Sequence, residues 1–335
     1  MVDDNPGMER PTERPFDATR HPADLGELIE EMSLDEARSA LLSLPLELGA
    51  ETFGYLAPET QVGLAKTLQR GELAAVVTEM KSDDRADLYN RLTPKQQNAL
   101  LPGLAQAERE DIRRLAGHEE GTAGAIMTSE YAVLTANLTV RDALSKLRRE
   151  APDKETIYRA YVIDNDRRLI GSLRLQTLIL ASPKQLIGAV MERETRAVNV
   201  TDNQEEVARS IAKYDILAVP VVDSDGRLVG IVTHDDATDV LQAEATEDFQ
   251  KVGSVGSMAD SISSASIALL YKSRIYWLVL LVFGNLLSGA GLAFYEDTIA
   301  AYVVLVFFLP VLIGSGGNAG SQSSTLMVRA IATGD

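Results

Sequence analysis

The segments YVIDNDRRLIGSL (161–173) and PVVDSDGRLVGIV (220–232) decide the fold, because both run from a strand through a polar turn into a second strand. In the second segment the turn is DSDG (223–226), and it lies between two runs rich in β-branched residues, which is a strong β-hairpin signal. Two hairpins of one design in one chain predict an internal duplication.

The duplication extends towards the N-terminus of each hairpin. AIMTSEYAVLTANLTVRDAL (125–144) parallels AVMERETRAVNVTDNQEEVA (189–208), so each copy is predicted to run from a Met through a strand, a helix and the hairpin to a closing helix. The pair resembles a tandem CBS module, with the first unit at 121–185 and the second at 186–247. The resemblance implies an α/β fold that binds adenine nucleotides or metal ions and that dimerises.

Before the duplication, residues 23–120 have helical periodicity. Apolar residues recur at spacings of three and four in short segments separated by Pro or Gly. Helix starts are indicated by Ser33 with Glu36, by Ser82 before Asp83 and Asp84, and by the related segments LAPETQ (56–61) and LTPKQQ (92–97). The pattern predicts an all-α domain, either a small helical repeat or a generic bundle. The Pro-rich and charged leader at 1–22 is predicted to be disordered.

The last quarter of the chain is far more apolar than the rest. A connecting helix is predicted at 248–274, with a simple linker as the alternative, and 275–335 is predicted to hold two transmembrane helices. The first span covers twenty mostly apolar residues, 276–295, enough to cross a hydrocarbon core of about 30 Å. Basic residues precede this span and acidic residues follow it, which places the N-terminal domains in the cytoplasm.

Composition excludes several classes of protein. The chain has no cysteine, so disulfides, zinc–thiolate sites and thiol nucleophiles are absent, and its three histidines match no metal-ligand spacing. A formal net charge of −17 favours bound cations and argues against a nucleic-acid partner. The alternative is an acidic surface that aids solubility. The sequence contains no phosphate-binding loop, catalytic cysteine or metal-binding triad motif, so the chain is not expected to be an enzyme.

The second predicted span does not resemble a lipid-facing helix. Its small residues favour close helix packing, but Asn318 and Gln322 at membrane depth favour a pore lining. The pore-lining candidates are Gly314, Gly316, Gly317, Asn318, Gly320 and Gln322. The string PVLIGSGGNAGSQSSTLMVRA (310–330) resembles the signature of the second transmembrane helix in the MgtE family of magnesium channels and transporters.

The MgtE resemblance covers the N-domain, the CBS pair, the connector and the first two membrane helices. It implies a Mg²⁺-regulated Mg²⁺ channel or transporter: a multi-pass, homodimeric protein of the cell (inner) membrane, in contact with lipid. Family members have five spans with a pore Asp in the last, so only part of the pore is expected in this sequence. The alternative is a membrane-anchored CBS module that senses a cation or nucleotide and does not transport by itself.

The resemblance also implies a regulatory Mg²⁺ site built from facing acidic residues, which repel one another unless a cation lies between them. The matching positions are Glu51, Asp83, Asp87, Glu205, Asp215, Asp235, Asp236, Glu244, Glu247 and Asp248. Asn203 stands where the family pattern has an acidic residue. For any one of these carboxylates, a solvated surface position is the alternative.

ATP is a further candidate ligand. CBS pairs often hold a ribose with an Asp that follows the closing strand, and in the second unit Thr233 and Asp235 occupy this region. In the first unit Thr177 stands where the acidic residue is expected. Thr233 and Asp235 are therefore the predicted nucleotide-binding residues.

Overall fold

The computed structural model describes residues 19–252 and 267–333, which form two compact units divided between Thr238 and Asp239. Most of the predicted leader and residues 253–266 of the predicted connector lie outside the described residues.

The N-terminal helices are α1 (Pro22–Glu30), α2 (Leu34–Ser43), α3 (Leu46–Gly54), α4 (Pro58–Thr67), α5 (Arg70–Glu79), α6 (Ser82–Arg91), α7 (Pro94–Leu100), a 3₁₀ turn (Leu101–Gly103) and α8 (Gln106–Leu115).

The N-terminal helices pack in a stepwise order. From α1 on α3 through to α6 on α8, each helix contacts the next but one in the chain. Their apolar faces meet in one core, whose most buried members include Ile29, Phe53, Leu64, Leu88 and Ile112. Because every helix is short, its stability comes from this packed face rather than from helix propensity alone.

The helix starts agree with the sequence signals except at Ser82. Pro58 and Pro94 each occupy the first turn of a helix, where a missing N–H does no harm. Ser82 was predicted to cap α6, and this is wrong: Lys81 holds the N-cap position, and Ser82 lies inside the helix. The Ser82 hydroxyl is fully buried and lies 2.9 Å from the Thr128 hydroxyl. A tertiary hydrogen bond therefore replaces the local cap.

The duplicated region forms two three-stranded sheets of identical order. The first copy contains β1 (Tyr131–Thr135), α9 (Val140–Glu150), a 3₁₀ turn (Ala151–Asp153), β2 (Thr156–Ile163), β3 (Leu169–Arg174) and α10 (Leu175–Leu180). The second contains α11 (Ile187–Val190), β4 (Val198–Asn199), α12 (Gln204–Tyr214), β5 (Ala218–Val222), β6 (Leu228–Thr233) and α13 (His234–Val252). In each copy the middle strand pairs parallel with the first and antiparallel with the third.

Each copy also completes the sheet of the other. The backbone of Thr128, which precedes β1 in the first copy, bonds to Ile231 of β6, and Glu192, which precedes β4 in the second copy, bonds to Ser172 of β3. Gly230 and Gly171 make room for these crossing segments. A Cβ at Gly230 would overlap Met127, and one at Gly171 would lie 2.8 Å from the Glu192 carbonyl oxygen. The two copies are therefore locked together by backbone that only glycine permits at these positions.

The second unit contains the end of α13 and three further helices, α14 (Ile267–Phe294), α15 (Glu296–Ala301) and α16 (Val304–Thr333). Many large apolar side chains on α14 and α16 are exposed, among them Leu287 at 76% and Phe307 at 75%. Within the part of the chain that the structure describes, no helix combines the length and the apolarity needed to cross a bilayer. The two membrane spans therefore stay predictions.

Candidate metal centre

Three carboxylates from distant parts of the sequence meet in the first unit. Asp83, Glu155 and Asp236 each offer one oxygen, and these three oxygens all lie within 4.8 Å of one another. Asp83 belongs to the N-terminal helices, Glu155 to the first α/β copy and Asp236 to the second. The cluster therefore joins all three parts of the unit.

Local structure explains how each carboxylate reaches the cluster. Asp83 is the second residue of α6, in its first turn, and Asp236 lies in the first turn of α13, which begins where β6 ends. Glu155 precedes β2, and its backbone N–H donates to the Glu130 carbonyl oxygen at 2.9 Å. Two helix N-termini and one strand start thus converge, and a helix N-terminus favours nearby negative charge.

The carboxylates are deeply placed and poorly satisfied. The Glu155 side chain is only 6% exposed. Asp83 Oδ1 and both Glu155 oxygens are buried and accept no hydrogen bond of ordinary geometry from the described residues, although Lys81 Nζ forms an ion pair with Glu155 Oε1 at 2.8 Å. A buried charged acceptor without a hydrogen bond costs more than the ~1–3 kcal/mol of a neutral one. Buried carboxylate oxygens of this kind are available to a cation or a water molecule.

Burial and mutual repulsion raise the pKa values of the cluster. For Asp83, burial raises the pKa of the carboxyl well above its usual range, and the negative charge of Asp236 adds to this effect. For Asp236, burial raises the pKa to about 7; a hydrogen bond from Thr233 opposes the increase, and the Glu155 charge reinforces it. Near neutral pH the cluster therefore holds its full negative charge only at a free-energy cost, which a bound cation would offset.

The donor set fits a hard divalent cation. All three ligands are carboxylate oxygens, which Mg²⁺ and Ca²⁺ prefer. Opposite ligands of Mg²⁺ lie about 4.2 Å apart, twice the ~2.1 Å bond length, so oxygens within 4.8 Å of one another need little movement to share one ion. Three protein oxygens leave positions for water, as is usual for Mg²⁺, and no nitrogen or sulfur ligand is present to favour a softer metal.

Beside the cluster, contacts that need no cation attach the N-terminal helices to the α/β pair. Arg85, 7% exposed, donates to Glu130 at 2.7 Å, and the Ser82 hydroxyl accepts from the Ser129 N–H at 2.9 Å. Arg114 on α8 donates to the Val229 carbonyl oxygen at 3.2 Å. In one part of the interface between the N-terminal helices and the α/β pair, donors and acceptors of the protein bond to one another. In the acidic part, several carboxylate oxygens have no such partner among the described residues.

The predicted site residues fall into separate groups. Asp83 and Asp236 belong to the cluster, and Asp235 lies beside it, bonded to Lys81 at 3.0 Å. Thr233, predicted to bind nucleotide with Asp235, is buried at the end of β6, and its hydroxyl is within hydrogen-bonding reach of both Asp235 and Asp236. These two predicted nucleotide-binding residues therefore lie against the acidic cluster.

Other candidates of the first unit lie elsewhere. Asp87, four residues after Asp83 on α6, pairs with Arg91 at 3.2 Å, and Glu51 is exposed on α3. Glu205 pairs with Arg209 at 2.5 Å. Asn203, which departs from the family pattern, caps α12 by accepting from two backbone N–H groups.

The remaining candidates belong to the second unit. Glu244 and Glu247 lie on α13 beyond residue 238, as does Asp248, whose side chain lies outside the described residues. The pore-lining candidates all lie on α16, and all are exposed: Gly314, Gly316, Gly317, Asn318, Gly320 and Gln322. Their pore-lining role stays a prediction.

Two residues of the site were missed from the sequence, Glu155 and Lys81. Glu155 stands in a loop between two regular elements, and nothing in its neighbours distinguishes it from other solvated acidic residues. Lys81 precedes the helix whose cap was assigned to Ser82. Only the approach of α6 to the α/β pair brings either residue to the cluster.

A second candidate site is a cleft of about 580 Å³ between the two α/β copies. Its lining combines aromatic and cationic side chains, including Tyr158, Tyr214, Arg159 and Arg174, and it also includes Asp215. Tyr158 is 68% exposed, and Arg196 stacks on the Tyr214 ring at 3.9 Å from its centroid. Aromatic faces and guanidinium groups of this kind suit a base and an anionic group.

Family models match most of the first unit. The model of the MgtE intracellular N domain matches residues 20–121, and the CBS domain model matches residues 123–184 and 187–243.

Solved structures agree with this division. The crystal structure of the cytosolic domain of the Mg²⁺ channel MgtE in complex with ATP has a TM-score of 0.64 and 40% identity, and covers 66% of this chain and 91% of that one. The soluble part of a magnesium transporter has the same TM-score at 35% identity and covers 68% of this chain and 89% of that one. The predicted helical N-domain and CBS pair are thereby confirmed.

Similarity to curated proteins extends over nearly the whole chain. The magnesium transporter MgtE of Thermus thermophilus is 41% identical over 318 residues, which cover 94% of this chain and 71% of that protein. The magnesium transporter MgtE of Bacillus subtilis is 32% identical and covers 92% of this chain and 68% of that protein. These relatives are transporters, as expected of a protein that is not an enzyme. The chain belongs to the MgtE family of magnesium transporters.

Proposed function

We propose that this chain is the Mg²⁺ sensor and part of the pore of a Mg²⁺-regulated magnesium transporter or channel. The observation that carries the proposal is the cluster of Asp83, Glu155 and Asp236, in which Asp83 Oδ1 and both Glu155 oxygens are buried without a hydrogen-bond partner among the described residues. The regulatory ion is Mg²⁺, the ion named for the relatives' transport activity. At high Mg²⁺ the sensor is proposed to close the pore.

In this proposal the three carboxylates work as a cation-dependent clasp. A bound Mg²⁺ would be held by Asp83, Glu155 and Asp236, and it would supply the positive charge that lets three acidic groups stay close together. Without it, repulsion between the α6 and α13 carboxylates favours separation of the acidic part of the interface. Arg85 and Ser82 keep their own partners throughout, so separation starts at the acidic side.

Asp236 is proposed to pass this change on to the pore. It lies in the first turn of α13, a helix that continues to Val252. In the proposal, a change in the position of the helix start is passed along α13. The proposed pore helices are α14 and α16. Their exposed apolar side chains support burial in lipid and against a second copy of the chain. The proposed protein is a homodimer in the inner membrane of the cell, with the first unit in the cytoplasm.

The sensor proposal is tested by limited proteolysis and calorimetry of the full chain in detergent. Millimolar Mg²⁺ is expected to slow cleavage and to raise the unfolding temperature, whereas Na⁺ at matched ionic strength is not. Asp236→Asn should remove most of the Mg²⁺ effect, because it deletes one of three ligands. The control is Glu59→Gln, an exposed acidic residue in the first turn of α4, which should keep the full response. Equal responses to Mg²⁺ and Na⁺ would refute the sensor.

We also propose that the cleft between the two copies binds ATP, the ligand in the complex of the similar MgtE cytosolic domain. The cleft volume of about 580 Å³ suits a nucleotide, with Tyr158 or Tyr214 against the base and the exposed Arg174 towards the phosphates. Arg174→Ala is expected to weaken ATP binding in calorimetry about tenfold, because one charge-assisted contact is lost. An equal loss in Thr233→Val, which alters the acidic cluster instead, would contradict this placement.

A further inference from the structure

The internal duplication implies a second cleft. It is related by the symmetry of the two copies to the cleft of about 580 Å³ described above, which is called the open cleft from here on. The alignment of residue 161 with residue 220 makes the strand pair Arg159–Arg174 of the first sheet equivalent to Ala218–Thr233 of the second. Five residues that line the open cleft then have counterparts in the other copy: Thr156 corresponds to Asp215, Arg159 to Ala218, Arg174 to Thr233, Gln176 to Asp235, and Tyr214 to Glu155.

The two clefts differ in charge and in what fills them. The open cleft has two arginines and two tyrosines in its lining. At the counterpart positions, Glu155 and Asp235 provide carboxylates, and both contact Lys81 of the N-terminal helices, at 2.8 Å and 3.0 Å. The second cleft is therefore occupied by a side chain of the same protein.

We propose that Lys81 occupies the second CBS cleft as a built-in cation, and that its competition with the divalent ion for Glu155 sets the concentration at which the acidic cluster fills. This inference rests on the proposed Mg²⁺ sensor and adds a residue that tunes it. Lys81 bonds to one ligand of the proposed ion, Glu155, and to one carboxylate beside the site, Asp235. Release of Glu155 from Lys81 is then part of ion binding.

The geometry explains why the lysine satisfies the cluster only in part. Its ammonium group reaches Glu155 and Asp235, but Asp83 Oδ1 stays buried without a hydrogen-bond partner among the described residues. A single positive charge faces five carboxylates, those of Asp83, Asp84, Glu155, Asp235 and Asp236. A divalent cation brings twice the charge and reaches the oxygens that the lysine does not.

The lysine is also able to leave. Its side chain is 42% exposed, and it extends from the N-cap position of α6 rather than from the helix interior. A flexible four-carbon stem lets the ammonium group move to water without unfolding the helix. The lysine is thus a partly exposed occupant with a path to water, in contrast to the buried Arg85–Glu130 pair beside it.

The test compares Lys81→Met, Lys81→Gln and Lys81→Arg in the full chain in detergent, using Mg²⁺ alone as the titrant in calorimetry. Met and Gln remove the competing charge, so Mg²⁺ is expected to bind on the order of tenfold more tightly. Arg keeps the charge, so its affinity should stay close to the wild-type value. The control Lys66→Met removes an exposed lysine from the last turn of α4 and should change nothing.

A second readout separates competition from a merely structural role. In chelator, Lys81→Met and Lys81→Gln should unfold at a lower temperature than wild type, because the acidic groups lose their only bonded cation among the described residues; in millimolar Mg²⁺ this difference should vanish. Unchanged or weaker Mg²⁺ affinity in both neutral variants, with normal binding in wild type, would overturn the role of Lys81 alone. Absence of Mg²⁺ binding in wild type would instead overturn the proposed sensor.

Discussion

Asp83→Asn is expected to make the protein more stable than wild type in chelator and less stable than wild type in saturating Mg²⁺. The reversal follows from two properties of this carboxyl group. It is buried near Asp236 and Glu155, which raises its pKa and makes its charge costly in the absence of a cation. It also supplies one of the three oxygens that face the proposed ion.

Asparagine has almost the same shape as aspartate but carries no charge. In chelator the substitution removes repulsion, so the unfolding temperature should increase. In Mg²⁺ it removes a charged ligand, and the apparent affinity is expected to decrease at least tenfold, which lowers the stabilisation by Mg²⁺ by about 1.4 kcal/mol once the ion is in large excess over both dissociation constants. Thermal unfolding over a Mg²⁺ series, from chelator to tens of millimolar, measures both effects on one sample.

Asp87→Asn is the matched control on the same helix, since Asp87 pairs with Arg91 and lies outside the cluster of three. Its Mg²⁺ response should stay close to that of wild type. If Asp83→Asn lowers stability equally in chelator and in Mg²⁺, the carboxylate is a structural residue and the cation-dependent clasp is wrong.

Arg85→Ala should destabilise the first unit by about 3 kcal/mol, by the same amount in chelator and in Mg²⁺. The Arg85 side chain is 9% exposed, and it forms a 2.7 Å ion pair with Glu130 across the interface between α6 and the first CBS copy. Removal of the arginine leaves Glu130 partly buried without its bonded cation, and burial already raises the pKa of this carboxyl. Breaking such a pair costs more than its net contribution to stability, because the remaining charge is uncompensated.

The control for this prediction is Arg209→Ala on α12, which breaks an exposed pair with Glu205 four residues earlier and should cost less than about 0.5 kcal/mol. Addition of Glu130→Gln to Arg85→Ala should recover part of the loss, since the orphaned charge is removed. Denaturant unfolding with and without Mg²⁺ measures all four proteins. A loss that disappears in Mg²⁺ would show that this half of the interface also depends on the cation.

The two expected results separate the interface into parts with different chemistry. One part consists of the Arg85–Glu130 pair and the hydroxyl contacts of Ser82, which join the N-domain to the α/β pair without a cation. The other consists of carboxylates that need a cation. If both predictions hold, the N-domain stays attached through the first part while the second opens and closes with Mg²⁺ concentration.

Much of the fold was predictable from local pattern. The hairpins at 161–173 and 220–232 form with the same strand order and matching register, because alternating apolar residues and a polar turn are local properties of the chain. Pro58 and Pro94 mark helix starts for a similar local reason. Ser82 shows where local reasoning stops, since its buried bond to Thr128 outweighs the helix cap that its sequence context predicts.

The residues of the candidate site also divide into those that the sequence predicted and those that only the tertiary structure identified. Sequence patterns predicted a helical N-domain, a duplicated α/β pair and an excess of acidic residues able to attract cations, and the MgtE resemblance implied ten candidate ligands, Asp83 and Asp236 among them. Only the tertiary structure selected those two, added Glu155, and placed Lys81 beside them. The physical reason is that charge and periodicity are properties of each segment, whereas burial and unsatisfied oxygens arise only when α6 packs against the CBS pair and excludes water from carboxylates far apart in the chain.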